Sequence, residues 1–135
     1  MNLALIIFTY FSGIGFMFSI VWSFKIETAY KMLSQAAGIN LGQIAESSPE
    51  PSKAMKFLLM DFTSQMLGMN LFALLIIWIP FRNGELWAWM VLWFYPIMFA
   101  WHYLHYAKGT KFSLVQLVYC ALSSLTLILS FKHFH

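Results

Sequence analysis

Four polar side chains within otherwise apolar segments are the residues of this sequence best suited to chemistry. Asp61 and Gln65 stand four residues apart in KAMKFLLMDFTSQMLGMN, so a helix would carry both on one face. His102 and His105 stand three apart in FAWHYLHYAKG, again close to one helical face. Ionisable side chains are costly inside a membrane, so these residues are candidates for ligand binding or proton relay.

The same residues argue against a metal ion or a haem. One carboxylate with two histidines is a thin ligand set for a metal. A haem between helices needs two axial histidines at one depth, whereas His133 and His135 lie at the far end of the last apolar segment. We therefore predict no metal and no cofactor. A hydrogen bond from a histidine to Asp61 that serves packing alone remains an alternative to a functional site.

No motif of a known enzyme class accompanies these residues. The sequence contains no Gly-rich phosphate loop, no nucleophile elbow and no HExxH pair of metal ligands. Whether the protein is an enzyme is left open, and a non-catalytic role is favoured.

Composition indicates lipid as the main solvent of the chain. Of its 135 residues, 61% are hydrophobic and 10% are charged, and the mean hydropathy is +0.71. A soluble domain carries about a quarter of charged residues. The net charge of +3 comes from scattered cations beside apolar segments, so nucleic acid is not expected as a partner. We predict a multi-pass protein of the cell membrane.

Four apolar segments are long enough to cross a bilayer, which takes about 20 helical residues. They cover residues 3–24, 57–81, 86–106 and 113–131. Backbone groups in lipid must be satisfied within each segment, so the predicted fold class is an all-α integral membrane protein. We expect a single domain over residues 1–135, with four transmembrane helices in an antiparallel bundle. The first span lacks a signal-peptide pattern and is expected to stay in the mature protein.

The distribution of cations predicts the orientation in the membrane. Six cations flank the first and third loops, and two flank the other side. The first group is Lys25, Lys31, Lys53, Lys56, Lys108 and Lys111, and the second is Arg82 and Lys132. Because positive charge accumulates on the cytoplasmic side, both loops should be cytoplasmic and both chain ends non-cytoplasmic.

The first loop is longer than the others and has internal structure. The segment KIETAYKMLSQAAG has apolar residues at near-helical spacing, which predicts a short amphipathic helix on the cytoplasmic surface, or a continuation of the first span, ending near Gly38. A stiff polar linker, SSPEPS, should follow, with Ser52 capping the next helix.

The loop Arg82–Glu85 is too short to separate its neighbours, so the second and third spans should pack as antiparallel partners. Their cytoplasmic ends would then lie side by side. This predicts one polar cluster of Asp61, Gln65, His102 and His105 at that membrane face.

Two further features concern helix packing. Pro96 removes a backbone donor within the third span and leaves the Leu92 carbonyl without its usual partner, which predicts a kink. Small side chains at helical spacing allow helices to approach closely, either within the chain or with another subunit. The packing candidates are Ser12, Gly15, Ser19 and Gly68.

The run over residues 68–102, GMNLFALLIIWIPFRNGELWAWMVLWFYPIMFAWH, resembles uncharacterised small four-helix membrane proteins of bacteria and archaea, loosely the DoxX-like group. The matching positions are Gly84, Glu85, Trp87, Ala88, Trp89, Pro96 and His102. Asn83 and Leu86 stand where a basic residue is commoner in that group. The resemblance implies a four-helix architecture and no established activity.

Two functional hypotheses follow from these patterns. The first is a non-catalytic accessory or assembly subunit, in contact with the lipid bilayer and with other membrane subunits or copies of itself. The second is a protein that binds a lipophilic molecule, such as a quinone or lipid, or that relays protons. In the second hypothesis Asp61, Gln65 and His102 are the polar contacts.

Overall fold

The computed structural model describes residues 1–134, and over that range the chain is built from helices with no strand. The α-helices are α1 (Asn2–Phe24), α2 (Ile26–Ala37), α3 (Leu41–Glu46), α4 (Pro49–Ile76), α5 (Leu86–Leu92), α6 (Phe94–His105) and α7 (Lys111–Ser130). A π-helical turn, Ile77–Phe81, continues α4, and a 3-10 turn, Phe131–His133, continues α7. The all-α prediction is confirmed.

Three stretches are long and apolar enough to cross a membrane. They are Asn2–Phe24, Pro49–Phe81 and Lys111–His133, and they correspond to the first, second and fourth predicted spans. The second stretch begins at Pro49 instead of residue 57. The predicted linker over residues 47–52 is therefore wrong from Pro49 onward, and Ser48, not Ser52, is the N-cap, because proline is well tolerated in the first turn of a helix.

The third predicted span, residues 86–106, is not one continuous helix. It is divided into α5 and α6, with the interruption at Trp93. Pro96 has no N–H to donate to the carbonyl of Leu92, so the ladder of hydrogen bonds fails one turn before the proline. Neither piece alone has the length of a membrane span.

Proline also shapes the connection between α4 and α5. Pro80 lies in the π-helical turn, where the N–H of Arg82 donates to the carbonyl of Ile77 (3.2 Å) and that of Glu85 to the carbonyl of Pro80 (3.0 Å). These bonds span five residues, because the usual donor at Pro80 is missing. The chain then reverses at Gly84, whose φ of 78° favours glycine. The predicted short turn is present.

The first loop holds two helices packed against the bundle. The amphipathic helix α2 ends before Gly38, as predicted, and buries Ala29 and Ala36. The N–H of Ala107, after α6, donates to the carbonyl of Ala36 (2.8 Å) and fixes the end of α2. The short helix α3 was not predicted; its first turn is capped by Asn40, which accepts from the N–H of Gln43 (3.1 Å).

The long helices associate as two pairs, α1 with α4 and α6 with α7. Side chains of α1, the π-helical turn, α6 and α7 form the main apolar core at the end of the bundle that carries the turn at Gly84. This core includes Phe8, Phe11, Phe81, Tyr95, Phe99 and Leu127. The prediction that the second and third spans pack along each other is wrong, because α4 packs along α1 and α6 packs along α7.

Candidate functional site

A cavity of about 760 Å³ lies between the two helix pairs. We call it the central cavity; its walls come from α1, α4, α6 and α7, and α2 forms its floor. It exists because α4 follows α1 while α6 follows α7, which leaves space between α4 and α6. The volume lies within the range of small-molecule sites, which is about 300–1,000 Å³.

The floor of the central cavity is apolar and is contributed by the amphipathic helix. Met32, Leu33 and Ala36 of α2 line it, and the same helix packs on Trp22 and Leu59 through a second apolar cluster. The hydrogen bond from the N–H of Ala107 to Ala36 closes this end. Helix α2 therefore closes one end of the bundle.

Asn70 is a buried polar side chain in the wall of the central cavity, with 6% of its surface exposed. Its Nδ2 donates to the carbonyl of Met66 (2.7 Å), and its Oδ1 has no hydrogen-bond partner among residues 1–134. A carbonyl only accepts, so the amide nitrogen must face Met66. The amide lies against Gly15, where an added Cβ would be 2.5 Å from Oδ1. Gly15 thus makes room for Asn70.

A second polar group is formed by α6 and α7. His102 lines the central cavity, and its ring stacks on that of Tyr106 with centroids 5.1 Å apart. Gln116, on α7, also lines the cavity. Gln116 Oε1 is buried and has no hydrogen-bond partner. The cavity therefore holds two amide oxygens that lack a donor.

The four residues predicted as one polar cluster are divided by the structure. Gln65 and His102 both line the central cavity, whereas Asp61 and His105 do not. Asp61 is exposed and accepts from Gln65 Nε2 (2.7 Å), and no hydrogen bond or ion pair joins it to His102 in residues 1–134. His105 is exposed, and its Nδ1 donates to the carbonyl of Trp101 (2.8 Å). The separation follows from the packing of α4 along α1.

The small residues predicted for packing fall into two groups. Ser12 and Ser19 are buried within the chain, and their hydroxyls donate to the carbonyls of Phe8 and Gly15. Ser12 also shares a hydrogen bond with the hydroxyl of Tyr95. Gly68, in contrast, is exposed, and a Cβ added there would meet no atom within 4 Å.

Metal ligation has no structural basis in the part of the chain described. No group of three or more His, Cys, Asp or Glu side chains that could hold a metal ion occurs among residues 1–134. The polar groups of the central cavity are amides, phenols and one imidazole. They are suited to hydrogen bonding with an uncharged ligand.

Sequence reasoning overlooked Asn70 and Gln116 as site residues. Both were visible as amides within apolar spans, but neither is ionisable, and Asn70 lies roughly opposite Asp61 on its helix. The available signal was the spacing of four residues between Met66 and Asn70, which places both on one face of the helix, and both line the cavity. Comparison with family models, curated proteins and solved structures finds no match to this chain.

Proposed function

We propose that the protein binds a lipophilic small molecule, such as a quinone or a lipid, in the central cavity. The observation that carries this proposal is the cavity itself, largely apolar and about 760 Å³ in volume, with a few polar side chains in its walls. That combination is the usual form of a small-molecule site. A proton relay has less support, because Asp61 accepts a hydrogen bond from Gln65 and makes none with His102.

The membrane provides the access that such a ligand needs. Phe62 and Met69 of α4 and Phe94 of α6 line the central cavity and are also exposed on the outer surface. The cavity therefore borders the surface that faces hydrocarbon in a membrane. A lipophilic molecule can then enter sideways from the bilayer without crossing water.

The test is the ligand content of protein purified in a mild detergent. Organic extraction and mass spectrometry should recover a lipophilic compound in a constant molar ratio to the protein. Met98→Trp, which adds bulk to the cavity wall, should lower that ratio by about tenfold. Met90→Trp is the matched control, because Met90 is 61% exposed on α5 and lies outside the cavity lining. Equal ligand content in both variants would contradict the proposal.

For the membrane arrangement, we propose four crossings in the cell membrane, with α5 and α6 together forming the third. Support comes from the turn at Gly84, which reverses the chain after Pro49–Phe81, and from the return at Gly109 before α7. The segment between these turns must run from one end of the bundle to the other. The distribution of cations favours non-cytoplasmic chain ends.

The second candidate function is that of an accessory or assembly subunit in a larger membrane complex. The observation that favours it is an exposed polar face on α4, formed by Asp61, Ser64 and Gly68, with Gln65 at its border with the central cavity. In a membrane this face would meet lipid, which is a costly environment for a carboxylate. A helix of another subunit, or of a second copy, would cover it and approach closely at Gly68.

Association through this face has its own test. Wild-type protein in mild detergent should migrate as a stoichiometric complex, and Gly68→Ile should release the free chain. Leu75→Ile, at an exposed position on the same helix, should leave the complex intact. A wild-type chain that is monomeric in native membrane discs would contradict this second function and leave the first untouched.

A further inference from the structure

We propose that the ligand of the central cavity carries a hydroxyl group, as a hydroquinone or a lipid alcohol does, and that this hydroxyl donates to the side-chain oxygen of Asn70. The inference deepens the proposed function and rests on it. It concerns the chemistry of the ligand's polar end, which the volume of the cavity does not determine.

The position of Asn70 is the first argument. Its Nδ2 uses one of its two hydrogens on the carbonyl of Met66, whereas Oδ1 accepts no hydrogen bond from residues 1–134 and is the acceptor left for a ligand. The residue is 6% exposed and lines the cavity, so bulk water has little access to its side-chain oxygen as a hydrogen-bond donor. An acceptor in the wall of a largely apolar cavity lacks a donor there, and a ligand that supplies one gains the free energy of that hydrogen bond.

Gly15 provides the second argument, because it shows that the position of Asn70 is built into the packing. Any side chain at position 15 would place a Cβ 2.5 Å from Oδ1 and 2.6 Å from Nδ2. Both Gly15 and Asn70 line the cavity. The close approach of α1 and α4 at this point therefore holds the amide in a fixed position. A binding site can distinguish between ligands only if its polar groups are held in this way.

A third argument comes from the opposite wall. Gln116 on α7 also lines the cavity, and its Oε1 is buried without a partner. The unsatisfied amide oxygens on both walls are thus acceptors. A quinone offers only acceptors to such groups, whereas its reduced hydroquinone form offers two donors, and a lipid alcohol offers one.

The experiment compares probes with a hydroxyl donor against analogues without one; the ethers add a methyl group, and duroquinone lacks the donor without added bulk. Purified protein in native membrane discs is titrated with durohydroquinone under argon, with its dimethyl ether, and with duroquinone; farnesol and its methyl ether form a second series. Binding is measured from the shift of the thermal unfolding midpoint, which ligand raises by mass action. We expect at least one hydroxyl probe to bind about tenfold or more tightly than its ether, because a site built for a hydroxyl rejects the analogue lacking it.

The two series also identify the source of the hydroxyl. Tight binding of durohydroquinone alone supports a reduced quinone, and tight binding of farnesol alone supports a lipid alcohol. Asn70→Leu should abolish the preference for the hydroxyl, and Ser64→Ala, at an exposed position of α4 outside the cavity, should keep it.

Failure of this inference is distinguishable from failure of the proposed function. Equal binding of hydroxyl and ether probes to the wild-type protein would overturn the inference while the cavity remained a binding site. Absence of binding by every probe would overturn both. Because the central comparison uses the wild-type protein, it holds even if Asn70→Leu does not fold.

Discussion

The amide of Asn70 lies against Gly15, so close that a Cβ at position 15 would be 2.5 Å from the amide oxygen. This contact joins α1 and α4 where the central cavity begins, and both residues line that cavity. In the function that we propose, packing and ligand binding therefore depend on the same two positions. A change at either should affect both.

Gly15→Ala should destabilise the protein by about 1–3 kcal/mol, because the new methyl group forces Asn70 or the helix backbone to move. Gly13→Ala is the matched control, since a Cβ at Gly13 meets nothing within 4 Å. Thermal or denaturant unfolding in detergent measures the difference. The double variant Gly15→Ala with Asn70→Ala should recover part of the loss, and strict additivity of the two changes would contradict a direct clash.

Tyr95→Phe should cost about 1 kcal/mol of stability, because it removes the hydroxyl that pairs with Ser12 in the buried core between α1 and α6. Ser12 keeps its bond to the carbonyl of Phe8 (2.9 Å), which limits the loss. The free energy of unfolding of Ser12→Ala, Tyr95→Phe and the double variant should show coupling. Tyr103→Phe serves as the control, and an equal loss there would argue against the specific pair.

Much of the fold could be predicted from the sequence, because a segment that crosses lipid must be helical, apolar and about 20 residues long. Apolar length predicted the stretches around α1, α4 and α7, and a helical period ending at a glycine predicted α2. The interruption of the third span was readable in part from Pro96. Composition misled over residues 47–52, where two prolines suggested a linker and instead begin α4.

The candidate site was less readable, because it depends on which helices pair. The short turn between α4 and α5 suggested that the second and third spans would pack along their whole length. On that assumption Asp61 and His102 were predicted to lie side by side. The pairing of α4 with α1 is encoded instead by the fit of Gly15 against Asn70 and the donation of Ser23 to Thr63 (3.4 Å). Such complementarity between distant residues has no local signature in one sequence.

The proposed topology predicts where single cysteines are accessible. In a Cys120→Ala background, Asn83→Cys at the turn after α4 should react with a membrane-impermeant maleimide on intact cells. Ser48→Cys, before α4, should react only after the cells are opened. Both positions are exposed, so reactivity reports the side of the membrane and not burial. The opposite pattern would place the chain ends in the cytoplasm and contradict the orientation predicted from the cations.

The two histidines of α6 should differ in their effect on ligand content. His102→Ala removes an imidazole from the wall of the central cavity and should lower the amount of ligand recovered from purified protein by about tenfold, the equivalent of about 1.4 kcal/mol. His105→Ala changes a residue of the same type on the same helix, outside the cavity, and should leave ligand content unchanged. Asp61→Asn should also leave it unchanged, because that carboxylate does not line the cavity. If Asp61→Asn removed the ligand and His102→Ala did not, the exposed face of α4 would be the binding surface instead of the central cavity.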